Sequence, residues 1–467
     1  MGEIQTSNNR DEKQATSEQS LQLLYKNMGE SICMFFPILN NCVNTFNAIN
    51  QIVSNKISDE NTRNKFILWK NLLSLELILL HSNIEIATSL RADFLSTLLN
   101  EKRYNLKFIN VTTLEGYKYL LSFGKAKNKS VWHEIKKLAD KSNDQEFKDE
   151  CISIEKELEC FGNKGTNKRL REVAVHFSKN PIQVYNDLME ISEEKEVKRA
   201  SAFMAILQSI SIFINKYINK YQLPSYISSL PSDEIFLWEK INHFVDQENH
   251  LYEKMGAAIP IYSKRLEQFV KLYNIPDKVK EHLNLDKNSR NQLNHLLEPF
   301  QPSIHIVYLY LDIACAVRAY LKSEYYIEKQ LNLRRINVIV YEGFKLLYGY
   351  TEEEQSESFW NKNISSIIAQ STDSASNILL NNIEVKLREL SQNSVINNPD
   401  LRHLSVHYRD KGINNIPLIF KKLIKLNPIL EMDKSLKLLK ILPSLFEAMQ
   451  SAVKIVHKDA QIQQQKS

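Results

Sequence analysis

The sequence predicts an all-α protein built from two copies of one helical-bundle domain. Three observations support this prediction. Glycine and proline are scarce, at 10 and 12 of 467 residues. Apolar residues recur at the three- and four-residue spacings that place them on one face of a helix. Long segments of the first half also recur in the second half at an almost constant distance.

The duplication is clearest in two pairs of segments. The run that starts at Ile86, IATSLRADFLSTLLNEKRYNLKFINVTTLEGYKYL, aligns without a gap to the run that starts at Ile313, IACAVRAYLKSEYYIEKQLNLRRINVIVYEGFKLL (313 − 86 = 227). LLYKNMG, from Leu23, matches HLYEKMG, from His250, at the same distance. This period is far longer than the roughly 20–50 residues of a solenoid repeat, so each copy is expected to be a complete helical domain.

These matches predict the domain boundaries. The linker prediction depends on QLPSYISSLPSDEIF, which has two prolines and four serines. In each unit we expect five to seven helices packed as a bundle. The predicted segments are a disordered leader over 1–19, unit 1 over 20–222, a linker over 223–246, unit 2 over 247–457 and a disordered tail over 458–467.

Apolar patterning predicts the longest helices. Two long and predominantly apolar segments suit helices buried between neighbours, and two later segments would close the units. Glu115 and Glu342 lie beside glycines in equivalent segments, which we interpret as a helix cap and bend. The four predicted helical segments are 66–99, 304–331, 182–217 and 416–457.

Composition limits the class of protein. The net charge of +5 and the pI of 8.6 allow a polyanionic partner without requiring one. The five cysteines include no Cys-x-x-Cys pair, so they favour neither a disulfide framework nor a zinc ribbon and fit a reducing cytosol. Lys70 and Glu76 interrupt a long apolar run, and no stretch of about 18 uncharged apolar residues exists. We therefore expect a cytoplasmic protein without a membrane span.

An Arg and a His five positions apart occur at equivalent places in both units. Unit 1 reads NKGTNKRLREVAVHF, with Arg171 and His176. Unit 2 reads VINNPDLRHLSVHY, with Arg402 and His407. The distance between the two arginines is 402 − 171 = 231, so a few inserted loop residues account for the drift from 227. The surrounding residues have diverged while the Arg and the His are present in both copies.

Both motifs are expected to open a helix. Asn167 and Asn398 precede the two arginines by four residues, and Asn is a preferred N-cap. Pro399 then falls at the first helical position, where proline is tolerated best. An Arg one turn into a helix lies beside backbone N–H groups without helical partners, where an anion binds favourably. Phosphate is the anion that we expect there.

The motif and the helical layout resemble the HEPN superfamily, a set of all-α domains whose nucleases carry Arg, four to six intervening residues and His at a helix start. Members commonly dimerise so that two motifs form one ribonuclease site. The residue after the Arg is usually polar in that family; His403 fits this pattern, whereas Glu172 departs from it. The resemblance implies an intramolecular pseudo-dimer with one composite site. Its implied catalytic residues are Arg171, His176, Arg402 and His407.

The implied activity is metal-independent endoribonuclease cleavage without a cofactor. One His would act as general base on a ribose 2′-OH while the arginines stabilise the transition state. RNA would be the substrate, and family analogy points to a prokaryotic defence or toxin role. A regulatory partner protein and further homodimerisation are compatible with this hypothesis. Residues expected to bind RNA or support the site are Lys164, Asn167, Lys168, Arg169, Glu172, Asn398 and His403.

Three alternatives remain open at this stage. The protein could be a non-catalytic helical module that binds RNA or a protein partner, with the motif kept as a phosphate contact. Glu172 with His176, and His403 with His407, also have the i, i+4 spacing of metal ligands, to which Glu115 or Glu342 would add a third. Finally, the Arg could bind helix carbonyls and the His could pack in a core.

Other residues repeat between the units. Arg91 and Arg318 lie within apolar helices, so we expect them to pair with Glu115 and Glu342 or to point toward RNA. Lys107 and Arg334 are also equivalent. A further group of aromatic side chains is predicted to lie in the core rather than to stack on bases: Tyr104, Tyr117, Trp132, Phe344 and Trp360.

Overall fold

The computed structural model describes most of the chain as helix, and the prediction of an all-α fold is confirmed. The described residues are 4–54, 59–121, 130–164, 181–223, 246–283, 300–365, 373–392, 402–403, 409–410 and 413–466.

The first half of the molecule, residues 4–223, contains seven of the described helices. Asp59 caps the second of these, because its carboxylate accepts a hydrogen bond from the backbone N–H of Thr62 at 2.8 Å. Ser130 and Ser192 cap two others in the same way. The helices are α1 Ile4–Ser54, α2 Glu60–Phe94, α3 Leu99–Leu120, α4 Val131–Lys141, α5 Gln145–Lys164, α6 Pro181–Met189 and α7 Glu193–Lys220.

The second half, residues 246–466, repeats the order of long helices. A single π-helical turn stands at the place of α4, with Trp360 equivalent to Trp132. Two short strands, β1 Arg409–Asp410 and β2 Ile413–Asn414, pair in an antiparallel ladder. The elements are α8 Asp246–Leu283, α9 Phe300–Lys322, α10 Tyr326–Leu347, α11 Glu352–Glu357, the π-helix Trp360–Ile364, α12 Ser374–Gln392, α13 Ile416–Leu423 and α14 Pro428–Lys466.

The predicted helical segments are helical, but each contains a break. Segment 66–99 contains most of α2 and the first residue of α3. Segment 304–331 contains most of α9, the gap after it and the first residues of α10. The breaks follow local capping: Glu101 accepts from the backbone N–H groups of Thr97 and Leu98. Ser192 and Asn427 interrupt the two closing segments in a similar way, because their side-chain oxygens accept from backbone N–H groups.

Helix α1 begins at Ile4 and α14 ends at Lys466, which lie within the predicted leader and tail, and the domain boundaries stay a prediction. The prediction of a helix cap and bend at the repeated glutamates is wrong. Glu115 and Glu342 lie inside continuous helices rather than at a cap and bend. The neighbouring Gly116 instead lets α3 approach α7, because a Cβ there would lie 2.6 Å from Phe203 Cζ.

The prediction for the repeated aromatic residues is confirmed. Each of the five has less than 4% of its surface exposed, so none presents a ring to solvent for base stacking. Trp132 lies against Phe213 with ring centroids 5.4 Å apart, and Trp360 lies 6.0 Å from Tyr348. These rings therefore fix helix packing in both halves.

Two apolar cores organise the structure, and each contains a helix from the other half. Helices α1, α2, α3, α4, α5 and α7 surround the first core, which also receives Ile416, Ile419 and Phe420 of α13. The ring of Phe420 lies 5.2 Å from that of Phe36 on α1. Helices α8, α9, α10, α12 and α14 surround the second core, which receives Ile182 from α6. The short helices α6 and α13 are thus exchanged between the halves.

Among the described helices, three are long and apolar enough to cross a membrane by length and composition. These segments are Gln22–Ser54, Glu193–Lys220 and Gln301–Lys322. The third is entirely buried inside the protein, so its apolar composition matches its place at the centre of the second core. The expectation of a cytoplasmic protein stays a prediction.

Candidate functional site

Most of the residues predicted to form the catalytic site lie outside the described part of the chain. This applies to both histidines of the motifs and to the first arginine. Lys164 ends α5, but its side chain is not described. The residues outside the described ranges are Asn167, Lys168, Arg169, Arg171, Glu172, His176, Asn398 and His407, and the linker over 223–246 is described only at Leu223 and Asp246.

Arg402 and His403 are the described residues of the second motif, and their backbone is helical. The Nε of Arg402 forms an ion pair with Glu342 on α10. Both side chains are largely buried, with 16% and 10% of their surface exposed. This ion pair holds the Arg402 side chain against α10.

The equivalent carboxylate in the first half has a different described partner. Glu115 accepts from Lys118 Nζ, one turn further along α3, at 3.0 Å. The metal hypothesis used Glu115 and Glu342 as third ligands, and the described contacts of both are to cations. Within the described ranges, no group of three His, Cys, Asp or Glu side chains is placed to hold a metal ion.

Arg91 and Arg318 bind neither Glu115 nor Glu342, and the sequence prediction for them is wrong. Arg91 Nε donates to Glu328 Oε1 of the second half at 2.6 Å. Arg318 Nε donates in turn to Glu101 of the first half. Both arginines are almost fully buried, so they are structural cations at the boundary between the halves rather than groups that face a solvent groove.

Each of these arginines is held in the same way by its own half. Arg91 donates to the Tyr25 carbonyl at 2.6 Å and lies 3.9 Å from the centre of the Tyr25 ring. Arg318 donates to the Tyr252 carbonyl at 2.7 Å and lies 3.7 Å from that ring. The two tyrosines are 227 positions apart, as are the two arginines. The same hydrogen-bond and cation–π arrangement therefore occurs twice.

The two acidic partners have a second role as helix caps. Glu101 closes the start of α3, and Glu328 accepts from the N–H groups of Glu324 and Tyr325, both at 3.0 Å, at the start of α10. Burial raises the pKa of Glu328, and the charge of Arg91 offsets part of that rise. Each carboxylate thus joins the N-terminus of one helix to an arginine of the opposite half.

A second reciprocal pair lies deeper in the boundary. Lys107 Nζ on α3 donates to Asp312 Oδ2 on α9 at 2.5 Å. Arg334 on α10 donates to Glu85 on α2. Lys107 and Arg334 are 227 positions apart, and so are Glu85 and Asp312. All four side chains are at least nine-tenths buried.

The carboxylate of Glu85 has several partners besides Arg334. His81 Nε2 lies 2.8 Å from it, and Thr112 Oγ1 donates to it at 3.1 Å. Burial would raise the pKa of Glu85, but the charge of Arg334 and the contact with His81 outweigh that effect and hold the pKa below its usual range. Glu85 is therefore an ionised carboxylate in the interior of the protein, where losing its partners would be costly.

Two contacts join positions that are equivalent in the two halves. The guanidinium of Arg335 lies 5.0 Å from the Phe108 ring, and these positions are 227 apart. Lys322 Nζ donates to the carbonyl of Leu95, and this pair has the same separation. In a symmetric pair of domains, a position contacts its own equivalent only next to the axis that relates them.

The acidic partners were missed in the sequence although a signal was present. Glu101 and Glu328 are 227 positions apart, as are Glu85 and Asp312, so the repeat spacing alone would have identified these acids. Comparisons of the chain with protein-family models, with curated proteins and with solved structures find no match. The resemblance to the HEPN superfamily therefore stays a prediction.

Proposed function

We propose that the chain is an intramolecular pseudo-dimer of two HEPN-like units and acts as a metal-independent endoribonuclease. The reciprocal contacts support the pseudo-dimer. Arg91 with Glu328 mirrors Arg318 with Glu101, which is the self-complementary pattern of a two-fold interface. In such a pseudo-dimer the contact between Phe108 and Arg335 would lie next to the pseudo-axis.

The observation that supports a composite site most directly is the exchange of α6 and α13. Each Arg–His motif is followed closely by a helix that packs in the core of the opposite half. Ile182 is six positions after His176, and Ile416 is nine positions after His407. Both motifs therefore stand close in sequence to helices that pack against the opposite half.

Arg402 is well placed for such a site. Its partner Glu342 lies seven residues beyond Arg335 on α10, which corresponds to about 10 Å along the helix. Arg402 is therefore held near the pseudo-axis. A guanidinium has five N–H donors and can engage a carboxylate on one edge and a phosphate on another.

The proposed reaction uses one imidazole as general base on the ribose 2′-OH. The 2′-oxygen attacks the adjacent phosphorus, the P–O5′ bond breaks, and the products carry a 2′,3′-cyclic phosphate and a 5′-OH. The leaving 5′-oxygen takes a proton from the second imidazole or from water. Arg171 and Arg402 stabilise the extra negative charge on the phosphoryl oxygens in the transition state.

The test uses purified full-length protein with labelled RNA in EDTA. We expect cleavage of RNA but not DNA, with 2′,3′-cyclic phosphate ends. Arg171→Ala and Arg402→Ala are each expected to lower the rate at least about 100-fold, because members of one catalytic unit act together. Arg63→Ala, at an exposed position of α2, serves as the matched control and is expected to keep full activity.

Two results would contradict parts of this proposal. Products with 3′-OH ends, or activity that EDTA abolishes and zinc restores, would favour the metal alternative. Full activity of Arg171→Ala with loss in Arg402→Ala would restrict catalysis to the second unit. In a host cell we expect expression to be toxic and His407→Ala to relieve the toxicity, since the general base would be lost.

A non-catalytic module is the second candidate, and the Arg402–Glu342 ion pair favours it. A buried arginine that is neutralised by a carboxylate is also what a purely structural motif would contain. In that case the wild-type protein would bind RNA or a protein partner without cleaving RNA. Arg402→Ala would then lower thermal stability as much as Glu342→Ala does.

A further inference from the structure

A cavity of about 40 Å³ lies between the halves, beside the Lys107–Asp312 pair. Helices α3 and α6 of the first half and α8 and α9 of the second surround it. Met189, with 43% of its surface exposed, lies at its rim and marks a route from solvent. Most of the lining surface is apolar. The residues that line it include Tyr104, Tyr185, Leu188, Leu266, Leu311 and Cys315.

Two polar groups at this cavity have no partner within the described part of the chain. The Nε of Arg103 is buried without an acceptor, and so is the hydroxyl of Tyr104, whose side chain is 2% exposed. No described carboxylate forms an ion pair with Arg103. Burial accordingly lowers the pKa of its guanidinium, and the nearby Tyr185 offsets this only in part. A buried N–H donor without an acceptor and a buried hydroxyl without a partner both cost stability.

The equivalent place in the other half has a different composition. Gln330 stands at the position of Arg103, and Leu331 stands at the position of Tyr104. Gln330 Nε2 donates to the Leu426 carbonyl at 3.2 Å. The cationic cavity is therefore a feature of one side of the boundary and is not required by the packing of the duplicated helices.

We propose that this cavity binds a small aliphatic monocarboxylate, with the carboxylate on Arg103 and the Tyr104 hydroxyl and the alkyl group against Leu188, Leu266 and Leu311. The cation selects an anion, and a planar carboxylate matches the guanidinium fork. The apolar walls favour a carboxylate with an alkyl group over phosphate. The volume holds about three or four groups the size of a water, since one water needs about 10–15 Å³, so a short carboxylate such as propionate would fill it and reach the rim at Met189.

Such a ligand would stabilise the association of the halves. The carboxylate would bind α3 of the first half, while its alkyl group would contact α8 and α9 of the second. A ligand that binds the folded protein alone raises its stability by mass action. The site does not include any residue of the Arg–His motifs, so its test is independent of RNA cleavage.

The experiment titrates the full-length protein with sodium propionate at constant ionic strength, by calorimetry and by thermal melting. We expect a dissociation constant on the order of 1 mM, as suits a ligand of five non-hydrogen atoms. At 50 mM propionate the melting temperature is expected to rise by about 2–5 °C. Propionamide has the same shape without the charge and is expected to bind at least ten-fold more weakly.

The variants distinguish this site from general salt effects. Arg103→Gln is expected to weaken propionate binding at least ten-fold, and Tyr104→Phe about three-fold or more. Arg63→Gln, an exposed arginine on α2, is the control and is expected to bind as the wild type does. Equal binding by Arg103→Gln, or by Tyr104→Phe if the first variant misfolds, would overturn the proposal. An equal response to chloride, inorganic phosphate or propionamide would overturn it as well.

Discussion

Two of the buried ion pairs at the boundary, Lys107–Asp312 and Arg334–Glu85, occupy equivalent positions but are built differently. On one side, the amine of Lys107 donates to Asp312 Oδ2 and to the Tyr308 hydroxyl, which is 3.4 Å away. On the other side, Glu85 contacts Arg334, His81 and Thr112 together. One side is a simple pair next to a cavity, and the other is a continuous network.

The difference follows from a few substitutions between the two copies. Arg335 stands where the first half has Phe108, and it adds a hydrogen bond to Ser89 Oγ at 2.6 Å. Arginine offers several donors in a fixed plane, whereas lysine offers one compact charge. An arginine network can therefore fill the interior around a carboxylate, while a lysine leaves space beside it. Equivalent helices of the two halves thus form a packed side and an open side.

The largest expected effect comes from breaking the packed side with Glu85→Gln. This change leaves Arg334 and its neighbours without a charged acceptor in the interior, so we expect a loss of about 3–5 kcal/mol in the free energy of unfolding. Urea denaturation measures it. Glu30→Gln, which removes an exposed partner of Lys26, is the control and is expected to cost less than about 0.5 kcal/mol. A loss below about 1 kcal/mol for Glu85→Gln would contradict the importance of the network.

Asp312→Asn tests the open side and is expected to cost less, about 2–3 kcal/mol. Lys107 again loses a buried partner, but water that enters the adjoining cavity can solvate its amine. The same urea experiment compares the two variants directly. An equal loss of unfolding free energy in both variants would mean that water in the cavity does not stabilise the Lys107 amine after the carboxylate is removed.

Asp93 supplies a pH-dependent difference between the halves, because its equivalent in the second half is Tyr320. Burial raises the pKa of Asp93 to about 7, and Glu193 adds to this rise. The folded protein therefore binds this proton more tightly than the unfolded chain, whose Asp pKa is about 3.9. The stability that protonated Asp93 contributes is therefore fully present below about pH 4 and is lost as the pH rises through 7.

Asp93→Asn should remove this dependence. We expect the variant to be more stable than the wild type by about 2 kcal/mol at pH 8 and nearly equal to it at pH 4. Melting temperatures across that range measure the difference. Asp373→Asn is the control, because hydrogen bonds from Ser376 lower the pKa of Asp373 and its pH dependence has the opposite sign. A constant offset between Asp93→Asn and the wild type at all pH values would contradict the assignment.

The sequence allowed the all-α fold and the main helices to be predicted, because apolar spacing reports which face of a helix is buried. It did not predict the partners of Arg91 and Arg318. Pairing within one unit pointed to Glu115 and Glu342, whereas Arg91 binds Glu328 and Arg318 binds Glu101, each in the opposite half. Periodicity describes one helix at a time and contains no information about which helices meet.

The helix breaks were missed for a related reason. Glu101 and Glu328 each start a new helix, because their carboxylates accept hydrogen bonds from backbone N–H groups three residues earlier. A glutamate three residues after the cap position is a weak signal within an apolar run. The exchange of α6 and α13 was not predicted either. Short helices of eight or nine residues pack equally well on either of two similar cores, so only the connections decide which core they join.

The smallest predicted effect comes from the glycines that let helices approach each other in each half. An added Cβ at Gly116 would lie 2.6 Å from Phe203 Cζ, and one at Gly343 would meet Leu309. Overpacking costs about 1–3 kcal/mol, but alanine also improves helix propensity by up to about 1 kcal/mol. Because the Phe203 ring is rigid and fully buried, we expect Gly116→Ala to lose about 1–2 kcal/mol.

Gly343→Ala should lose less, about 0–1 kcal/mol, because a leucine can change rotamer to accommodate one methyl group. Urea denaturation of the two variants, with the wild type as reference, gives the ranking. A larger loss for Gly343→Ala would mean that Leu309, which is fully buried on α9, has no alternative rotamer in the second core. In that case the second half would be the more rigidly packed of the two, although the cavity lies against its own α8 and α9.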